Sequence, residues 1–339
     1  MSAENLRLLL KAVENTTRIL ILTHNNPDPD AISSAVALRY LLAEKLNIEG
    51  QIVYQGLIGR AENKALVRYL VHPLRPLVAS DLSEGVPLAL VDTQPGSGNT
   101  VLLPSAANVA VVIDHHTGPA DLSATTANLA DIRPEVGATS TILTEYLQAA
   151  DLEPPIPLAT ALFYGIKTNT MGLSRNTSPA DAMAYYYLQP QIDVKGLASI
   201  EQARVPANYF KSFDIALRTA QVYNGILISY IGPVGYPDLT AEMADLLLRL
   251  EEAEWVICMG LFGNDLMISI RLHRGQRGAG QLAQAIVGPD GTAGGHGTIA
   301  GGQIPLGGHD PEPLVSQVTL RILQHLKTPA NLSSRPLFE

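Results

Sequence analysis

The sequence predicts an α/β protein that combines a doubly wound, mainly parallel sheet with a second, smaller α/β domain. Two observations support this prediction. In the first half of the 339-residue chain, short runs of branched apolar residues alternate with helix-like segments, which is typical of a parallel sheet with crossover helices. Polar side chains suited to metal binding directly follow several of these runs, as expected where ligands bind at the carboxyl ends of parallel strands.

Continuous apolar runs of four to eight residues suit strands that are buried on both faces of a parallel sheet. In the first half, strands are predicted over residues 18–24, 50–58, 87–93 and 109–116. Helices are predicted over residues 31–46, 61–70, 138–150 and 157–166, with two more around 179–189 and 194–205.

The second half has a different order of elements. A strand is predicted over residues 225–233, and a hairpin over 255–272, because a Gly-Asn-Asp turn at 263–265 separates two apolar runs. A helix near 279–287, a glycine-rich segment at 288–308 and a helix at 311–326 follow.

We therefore predict three parts of the chain: a doubly wound α/β domain at 1–175, a helical connector at 176–204 and a smaller α/β domain at 205–330. The chain is 46% hydrophobic and 16% charged, which is enough apolar sequence for sizeable cores. The formal net charge of −9 argues against binding to duplex DNA, which depends on phosphate neutralisation by Lys and Arg.

The sequence gives no sign of a membrane or secreted protein. The N-terminus lacks the basic and apolar parts of a signal peptide, and no apolar stretch approaches the ~20 residues of a membrane span. The single cysteine, Cys258, lies in an apolar run and excludes an intrachain disulfide. A cytoplasmic location is expected.

Carboxylates and imidazoles lie where three of the predicted strands end. They are His24, Asp28, Asp30, Asp92, Asp114, His115 and His116. Because parallel strands deliver their carboxyl ends to one edge of the sheet, we expect these side chains to share one site. Two of them have alternative roles: Asp30 as the N-cap of a helix that begins near Ala31, and Asp92 as the start of a turn.

The chemistry of this set favours a hard divalent cation. Carboxylates with imidazoles and no thiolate suit Mn²⁺ or Mg²⁺ better than structural zinc. Several carboxylates around one volume suggest two ions, which at about 3.5–4 Å apart generate a nucleophile and clamp a phosphoryl oxygen. Adjacent histidines on an extended chain point to opposite sides, so one of His115 and His116 is left for substrate or proton transfer. The predicted chemistry is hydrolysis of a phosphoester or phosphoanhydride.

These motifs resemble those of the DHH phosphoesterase superfamily. The four matching segments are His24-Asn-Asn-Pro-Asp28-Pro-Asp30, Asp92, Asp114-His115-His116 and the stretch YGIKTNTMGLSR at 164–175. The second half is similar to a DHHA1 domain through Ser269-Ile-Arg271 and the Gly294-to-Gly302 segment. Members of this size include nanoRNase-like, phosphoadenosine-phosphate phosphatase-like and exopolyphosphatase-related proteins.

The resemblance implies a metal shell built on these residues. His24, Asp28 and Asp92 would hold one Mn²⁺, with Mg²⁺ as the alternative ion. Asp30, Asp92 and His115 would hold a second ion, with Asp92 bridging the two.

The resemblance also implies roles in catalysis and substrate binding. His116 would contact the scissile phosphate or assist proton transfer, and Asp114 would support the histidines. Substrate contacts are expected from Arg175 and, in the second domain, from Arg271, Gly294, Gly295, His296, Gly301 and Gly302. Arg274 and Arg277 either add to the electrostatic attraction or lie in a solvated loop.

One residue departs from the family pattern. The fourth motif ordinarily supplies an aspartate to the second ion, but this chain has Asn169 in Gly165-Ile-Lys-Thr-Asn169-Thr. An amide carbonyl can ligate a hard cation but brings no negative charge. The second ion is therefore expected to bind more weakly than the first.

The predicted function is Mn²⁺-dependent, two-metal hydrolysis of short phosphorylated substrates, namely nanooligonucleotides or 3′,5′-bisphosphorylated nucleosides. One alternative is a nucleotide-binding or regulatory protein in which Asn169 has weakened catalysis. Another is a hydrolase of polyphosphate or a phosphoanhydride. The expected partner is a short oligonucleotide or nucleotide substrate; neither duplex DNA nor a membrane is expected, and a homodimer is left open.

Overall fold

The computed structural model describes residues 2–82, 85–104, 107–118, 127–273, 278–327 and 334–338. The chain divides into two compact units, Met1–Ala203 and Arg204–Glu339. The helices of the predicted connector belong to the first unit. Among the described residues, no helix is both long enough and apolar enough to span a bilayer.

The first unit is built on a parallel sheet. Its described strands are β1 (Arg18–Thr23), β2 (Glu49–Tyr54), β3 (Leu74–Pro76), β4 (Leu88–Val91), β5 (Val109–Asp114) and β6 (Leu129–Ile132). They lie in the order β3-β2-β1-β4-β5-β6, and every neighbouring pair is parallel. The order reverses between β1 and β4, so the carboxyl ends of these two strands flank a topological switch point.

The first unit also contains seven described helices. They are α1 (Ser2–Val13), α2 (Pro29–Leu46), α3 (Ala61–Tyr69), α4 (Thr139–Ala149), α5 (Ile156–Asn169), α6 (Pro179–Leu188) and α7 (Val194–Glu201). Ile21, Ile52 and Ile113 point from the sheet into a core that includes α1, α2, α4 and α5. The opposite face, which carries Leu22 and Leu90, packs against loop residues. The prediction of an α/β unit with a mainly parallel sheet is confirmed.

The first turn of α2 corrects one interpretation of the sequence. The helix begins at Pro29, two residues before the predicted start, and Asp28 is its N-cap. The carboxylate of Asp28 accepts hydrogen bonds from the N–H groups of Asp30 and Ala31 at 2.9 and 3.0 Å, which would otherwise lack a partner. Proline suits this first helical position because it has no N–H to satisfy. Asp30 is therefore not the N-cap of α2.

The second unit contains a mixed sheet with helices on both faces. Its described strands are β7 (Gln221–Tyr223), β8 (Ile226–Pro233), β9 (Trp255–Phe262), β10 (Asp265–Leu272), β11 (Thr292–His296), β12 (Ile299–Pro305) and β13 (Arg335–Pro336). Its described helices are α8 (Ala207–Thr219), α9 (Leu239–Leu247), α10 (Ala279–Val287) and α11 (Pro311–His325). The strand order is β11-β12-β10-β9-β8-β7-β13, in which β8 and β9 are the parallel pair.

The two faces of this mixed sheet bury separate cores. Val256 and Cys258 pack on the side of α8 and α9, whereas Ile257 and Met259 pack on the side of α10 and α11. Burial raises the pKa of Cys258 to about 12, so this thiol is a structural core residue. The prediction of a second, smaller α/β domain is confirmed.

The glycine-rich segment is more ordered than its composition indicates. Residues Thr292–His296 and Ile299–Pro305 form an antiparallel hairpin, in which Gly294 lies opposite Gly301. The Gly-Asn-Asp turn also forms the predicted hairpin between β9 and β10, with Gly263 at a φ of 59° that glycine adopts without steric cost.

Gly165 permits the close packing of α5 against two other helices and gives a test of this arrangement. A Cβ atom at Gly165 would lie 2.5 Å from Oγ of Ser140 and 2.6 Å from Oγ of Ser33. We expect Gly165→Ala to lower the free energy of unfolding of the first unit by about 1–3 kcal/mol, the usual cost of overpacking a core. Urea unfolding measures this change. The control is Gly235→Ala, since a Cβ atom there meets nothing within 4 Å; equal stability for both variants would contradict the packing argument.

Candidate metal centre

The sequence-predicted ligands lie together at the switch point of the parallel sheet. His24 directly follows β1, Asp92 directly follows β4, and Asp114 is the last residue of β5. The carboxyl ends of adjacent parallel strands thus bring these side chains to one edge, as the sequence predicted. Their roles as metal ligands remain predictions.

One group of three side chains has ligand atoms that lie close to a common point. Nε2 of His24 lies 3.5 Å from Oδ2 of Asp92 and 3.8 Å from Oδ1 of Asp28. These separations are too long for hydrogen bonds, but they suit ligands of one ion with bonds of about 2.1 Å. Oδ2 of Asp92 is buried and has no hydrogen-bond partner among the described residues. A buried, unpartnered carboxylate oxygen needs a cation, so these three residues fit a divalent metal ion.

Backbone carbonyl groups orient the two inward-facing histidines. Nδ1 of His24 lies 2.8 Å from the carbonyl oxygen of Asn25, and Nδ1 of His115 lies 3.1 Å from that of Val136. A carbonyl oxygen only accepts, so Nδ1 carries a proton in both rings and Nε2 is directed toward Asp92. This arrangement is typical of metal-binding histidines, in which one nitrogen donates and the other ligates.

Electrostatics also indicates that the first group holds a positive charge. Burial by itself would lower the pKa of His24, but the carboxylates of Asp28 and Asp92 raise it well above its usual value. Burial would likewise raise the pKa of Asp92, yet the neighbouring imidazoles, His24 first, lower it. The two carboxylates of this group therefore favour a positive charge between them, which a divalent ion would supply with a neutral, ligating imidazole.

Asp92 has a strained backbone conformation. Its φ is 59°, in the left-handed region that non-glycine residues rarely adopt. Its N–H donates to the carbonyl of Ile113 at 2.9 Å, and its Oδ1 accepts from the hydroxyl of Thr139 at 2.8 Å. These contacts hold the carboxylate in place, and such strain is typical of functional positions.

Asp30 is buried beside this centre and caps a helix distant in sequence. Its carboxylate accepts hydrogen bonds from the backbone N–H groups of Thr139 and Ser140, at 2.8 and 2.7 Å. These groups begin α4, whose own N-cap residue, Ala138, makes no side-chain cap bond. Burial and the charges of Asp92 and Asp28 raise the pKa of Asp30 well above its usual value.

Asn169 lies at the position predicted for the second metal ion, but its side chain presents a hydrogen-bond donor there. Its Nδ2 donates to Oδ2 of Asp30 at 2.8 Å and lies 3.3 Å from Nε2 of His115. Nε2 of His115 is 3.8 Å from Asp30 and 3.6 Å from Asp92. Arg175, a predicted phosphate contact, lies beside this group, and its guanidinium donates to the backbone carbonyl of Asn169 at 2.8 Å.

His116 lies at the more exposed side of the centre. Its Nδ1 is 2.8 Å from Oδ1 of Asp114, and its side chain is 40% exposed. Burial opposes the charged imidazole, but the hydrogen bond to Asp114 and the charge of Asp92 raise the pKa of His116 to about 9. Gln94, which the sequence analysis did not identify, donates to Asp114 at 2.9 Å and to the carbonyl of His116 at 2.8 Å. Its position two residues after Asp92 was the available signal.

Asp181 is a second residue that the sequence analysis missed. Its buried carboxylate accepts from the N–H of Gly137 at 2.8 Å and from the hydroxyl of Thr141 at 2.6 Å. It also accepts from Ser178, which precedes α6. Asp181 thus fixes the segment that supplies the carbonyl of Val136 to one histidine and the N-terminus of α4 to Asp30. No spacing in the sequence connects residues so far apart.

In the second unit, Arg271 is buried and already paired. Its Nε donates to Asp245 at 2.5 Å, and its Nη1 donates to the carbonyl of Ile270 at 3.1 Å. The register of β10, β11 and β12 places Arg271, Gly301 and Gly294 on one face of the sheet. The side chain of His296 lies outside the described part of the structure, as do Arg274 and Arg277.

The glycines of the hairpin divide into two kinds. A Cβ atom at Gly295 would lie 2.4 Å from Cα of Ala300, and one at Gly302 would lie 2.6 Å from Val287, so packing explains both. A Cβ atom at Gly294 meets nothing within 4 Å, and one at Gly301 meets only the carbonyl of Ile268 at 3.3 Å. Backbone atoms at Gly294 are therefore accessible to a ligand.

Comparison with known proteins identifies a family domain in the segment that carries these residues. Residues 18–166 match the N-terminal domain of the DHH family, and these residues include the His24-to-Asp30 segment, Asp92 and the Asp114-His115-His116 triplet. This match confirms the resemblance to the DHH family over the segment that carries these motifs.

Three known proteins are similar to this chain. An uncharacterized protein of Methanocaldococcus jannaschii is 39% identical over 295 residues, which are 87% of this chain and 59% of that protein; the chain thus spans less than two thirds of that relative. A probable manganese-dependent inorganic pyrophosphatase of Streptococcus agalactiae is 29% identical over 259 residues, covering 71% of this chain and 77% of that protein. The crystal structure of an exopolyphosphatase-related protein from Bacteroides fragilis has a TM-score of 0.72 at 15% identity, over 95% of this chain and 96% of that chain, which shows a shared fold.

Because Oδ2 of Asp92 has no hydrogen-bond partner among the described residues, we expect metal binding to increase the stability of the first unit. At a free Mn²⁺ concentration of 100 times Kd, the ion should raise the free energy of unfolding of the first unit by about 2.7 kcal/mol. Asp92→Asn should abolish this increase, because the amide removes the charge at the buried oxygen. Thermal unfolding with and without Mn²⁺ measures the effect. The exposed Asp151→Asn variant serves as the control, and an unchanged metal effect in Asp92→Asn would contradict the assignment of this ligand.

The hydrogen bonds of Asp181 predict that this residue stabilises the segment that leads into α4. Asp181→Asn replaces one acceptor oxygen by a donor that faces the donors around it. Because leaving a buried donor without its acceptor costs about 1–3 kcal/mol, we expect the free energy of unfolding to fall by about 2–3 kcal/mol. Urea unfolding measures the loss, with Asp151→Asn again as the control. A loss no larger than in the control would show that Asp181 does not hold this segment.

Proposed function

We propose that the protein is a Mn²⁺-dependent phosphoesterase that hydrolyses short phosphorylated substrates. The observation that carries the proposal is the buried, unpartnered Oδ2 of Asp92 beside Nε2 of His24 and the carboxylate of Asp28. The match of residues 18–166 to the N-terminal domain of the DHH family supports it.

The residues of the centre have different proposed roles. His24, Asp28 and Asp92 would hold the ion. When bound, a divalent ion supplies a nucleophile at neutral pH and neutralises charge on the phosphoryl group. A carboxylate-rich ligand set without thiolate suits Mn²⁺, and the manganese dependence named for the Streptococcus agalactiae relative agrees with this choice.

His116 is the candidate catalytic residue of the chain itself. Asp114 holds its Nδ1 at 2.8 Å, and Gln94 holds both Asp114 and the backbone of His116. The other ring nitrogen, Nε2, can then contact the substrate as an N–H donor. It would donate a hydrogen bond to a phosphoryl oxygen or a proton to the leaving oxygen, which typically accelerates such reactions about 10²–10⁴-fold.

The second unit supports a substrate with an anionic end. The register places the accessible backbone at Gly294 on the same face of the sheet as Arg271, whose guanidinium is paired with Asp245, and backbone N–H groups bind phosphate. The net charge of −9 favours a short substrate over a long polyanion. We therefore propose nanooligonucleotides or 3′,5′-bisphosphorylated nucleosides as substrates.

Two other functions have specific support. Phosphoanhydride hydrolysis is favoured by the probable inorganic pyrophosphatases among the relatives. A nucleotide-binding or regulatory role is favoured by Asn169, which brings an uncharged donor to a position between Asp30 and His115.

A substrate panel tests these functions. The full chain with Mn²⁺ is assayed on a 5′-phosphorylated dinucleotide, a 3′,5′-bisphosphorylated adenosine, pyrophosphate and polyphosphate. We expect the highest kcat/KM on one of the first two, and a loss of at least about 10² in kcat for His116→Gln. The exposed His309→Gln variant is the control.

The other outcomes separate the alternatives. The fastest turnover on pyrophosphate or polyphosphate would favour phosphoanhydride hydrolysis. Nucleotide binding without turnover at any Mn²⁺ concentration would favour the binding protein. An unchanged kcat in His116→Gln would remove His116 from the mechanism.

A further inference from the structure

We propose that this chain holds one divalent ion, between His24, Asp28 and Asp92, and that the side chain of Asn169 closes the position where a second ion would lie. This inference rests on the proposed metal-dependent function. The sequence predicts only that a second ion binds more weakly than the first. This inference goes further, because it places the amide of Asn169 where the second ion would bind.

The orientation of the Asn169 amide is set by its neighbours. Each oxygen of Asp30 accepts a hydrogen bond from a backbone N–H group, and the amide of Asn169 meets Oδ2 as a further donor. Nε2 of His115 also accepts, because Nδ1 of the same ring donates to the carbonyl of Val136. The group 2.8 Å from Asp30 and 3.3 Å from His115 is therefore the amide nitrogen, and its N–H groups point where a cation would have to sit.

Asp30 has no spare oxygen for a second ion. Oδ1 accepts from the N–H of Ser140 at 2.7 Å and from the hydroxyl of Ser34 at 3.4 Å. Oδ2 accepts from the N–H of Thr139 and from Asn169, each at 2.8 Å. Binding an ion there would break bonds that cap α4 and leave buried N–H groups unpaired, which costs about 1–3 kcal/mol for each group.

The two oxygens of the Asp92 carboxylate differ in their hydrogen bonding. Oδ1, on the side of His115, accepts from the hydroxyl of Thr139 at 2.8 Å. Oδ2, on the side of His24, is the atom without a partner. A carboxylate that bridges two ions through its two oxygens would lose the hydrogen bond from Thr139, whereas binding of one ion by Oδ2 leaves that bond intact.

A third group of candidate ligands does not provide a site for a second ion. Asp92, His115 and His116 have ligand atoms within 4.8 Å of one another. However, Nδ1 of His116, the ring nitrogen 3.6 Å from Asp92, is already 2.8 Å from Asp114. Each ligand atom of this group thus has a hydrogen-bond partner, whereas the group around His24 includes the unpartnered Oδ2 of Asp92.

Metal stoichiometry of the full chain tests the inference directly. After removal of metals with a chelator, titration with MnCl₂ is followed by calorimetry, and electron paramagnetic resonance distinguishes an isolated Mn²⁺ from a spin-coupled pair. We expect one ion per wild-type chain and the spectrum of isolated Mn²⁺. Asn169→Asp places a carboxylate against Asp30, so we expect it to bind two ions and to show a coupled pair.

The matched control is Asn264→Asp, which adds the same charge at an exposed turn of the second unit and should bind one ion. Two ions of similar affinity in the wild-type chain would overturn the inference. So would a single ion in Asn169→Asp, since the amide would then not be what closes the second position.

These readouts are independent of turnover. A chain that binds one ion but hydrolyses no phosphorylated compound contradicts the proposed function and leaves the inference standing. An active chain with a coupled pair of ions contradicts the inference and leaves the proposed function standing.

Discussion

The buried carboxylate of Asp30 accepts hydrogen bonds from the first two N–H groups of α4 and from the side chain of Asn169 at the end of α5. A buried charge is tolerated only when its hydrogen bonds are satisfied, so the start of α2, the start of α4 and the end of α5 keep fixed relative positions. The same segment places the hydroxyl of Thr139 on Asp92 and the carbonyl of Val136 on His115. The geometry of the metal centre thus depends on how this one carboxylate is paired.

Hydrogen bonds and metal binding compete for the same oxygens in this centre. On the side of His115, donors from α4 and Asn169 satisfy the carboxylates, and the pairing stabilises the fold. On the side of His24, Oδ2 of Asp92 is left without a donor, which disfavours the metal-free protein and favours a bound cation. The difference between the two sides arises from donors on α4 and α5, not from a different number of carboxylates.

Much of the fold was predictable because its strands are long, continuous apolar runs. The prediction identified β1, β2, β4 and β5, together with α2, α4 and α5, within a few residues of their observed ends. It missed β3 and β6, which have three and four residues, because such short runs carry no usable periodicity. The glycine-rich segment is a hairpin because β12 pairs with β10, and composition alone does not reveal a long-range pairing of this kind.

The sequence by itself determined where the ligands would meet. His24, Asp92 and Asp114 follow apolar runs, and the carboxyl ends of parallel strands lie at one edge whatever the other details of packing. Only the tertiary structure decided how each ligand is paired. Asp30 caps α4 rather than its own helix, and Asn169 presents its nitrogen to Asp30 and His115, because hydrogen-bond donors more than a hundred residues away in the chain are adjacent in space. No sequence spacing encodes such contacts, since they depend on how helices pack and not on the local period of the chain.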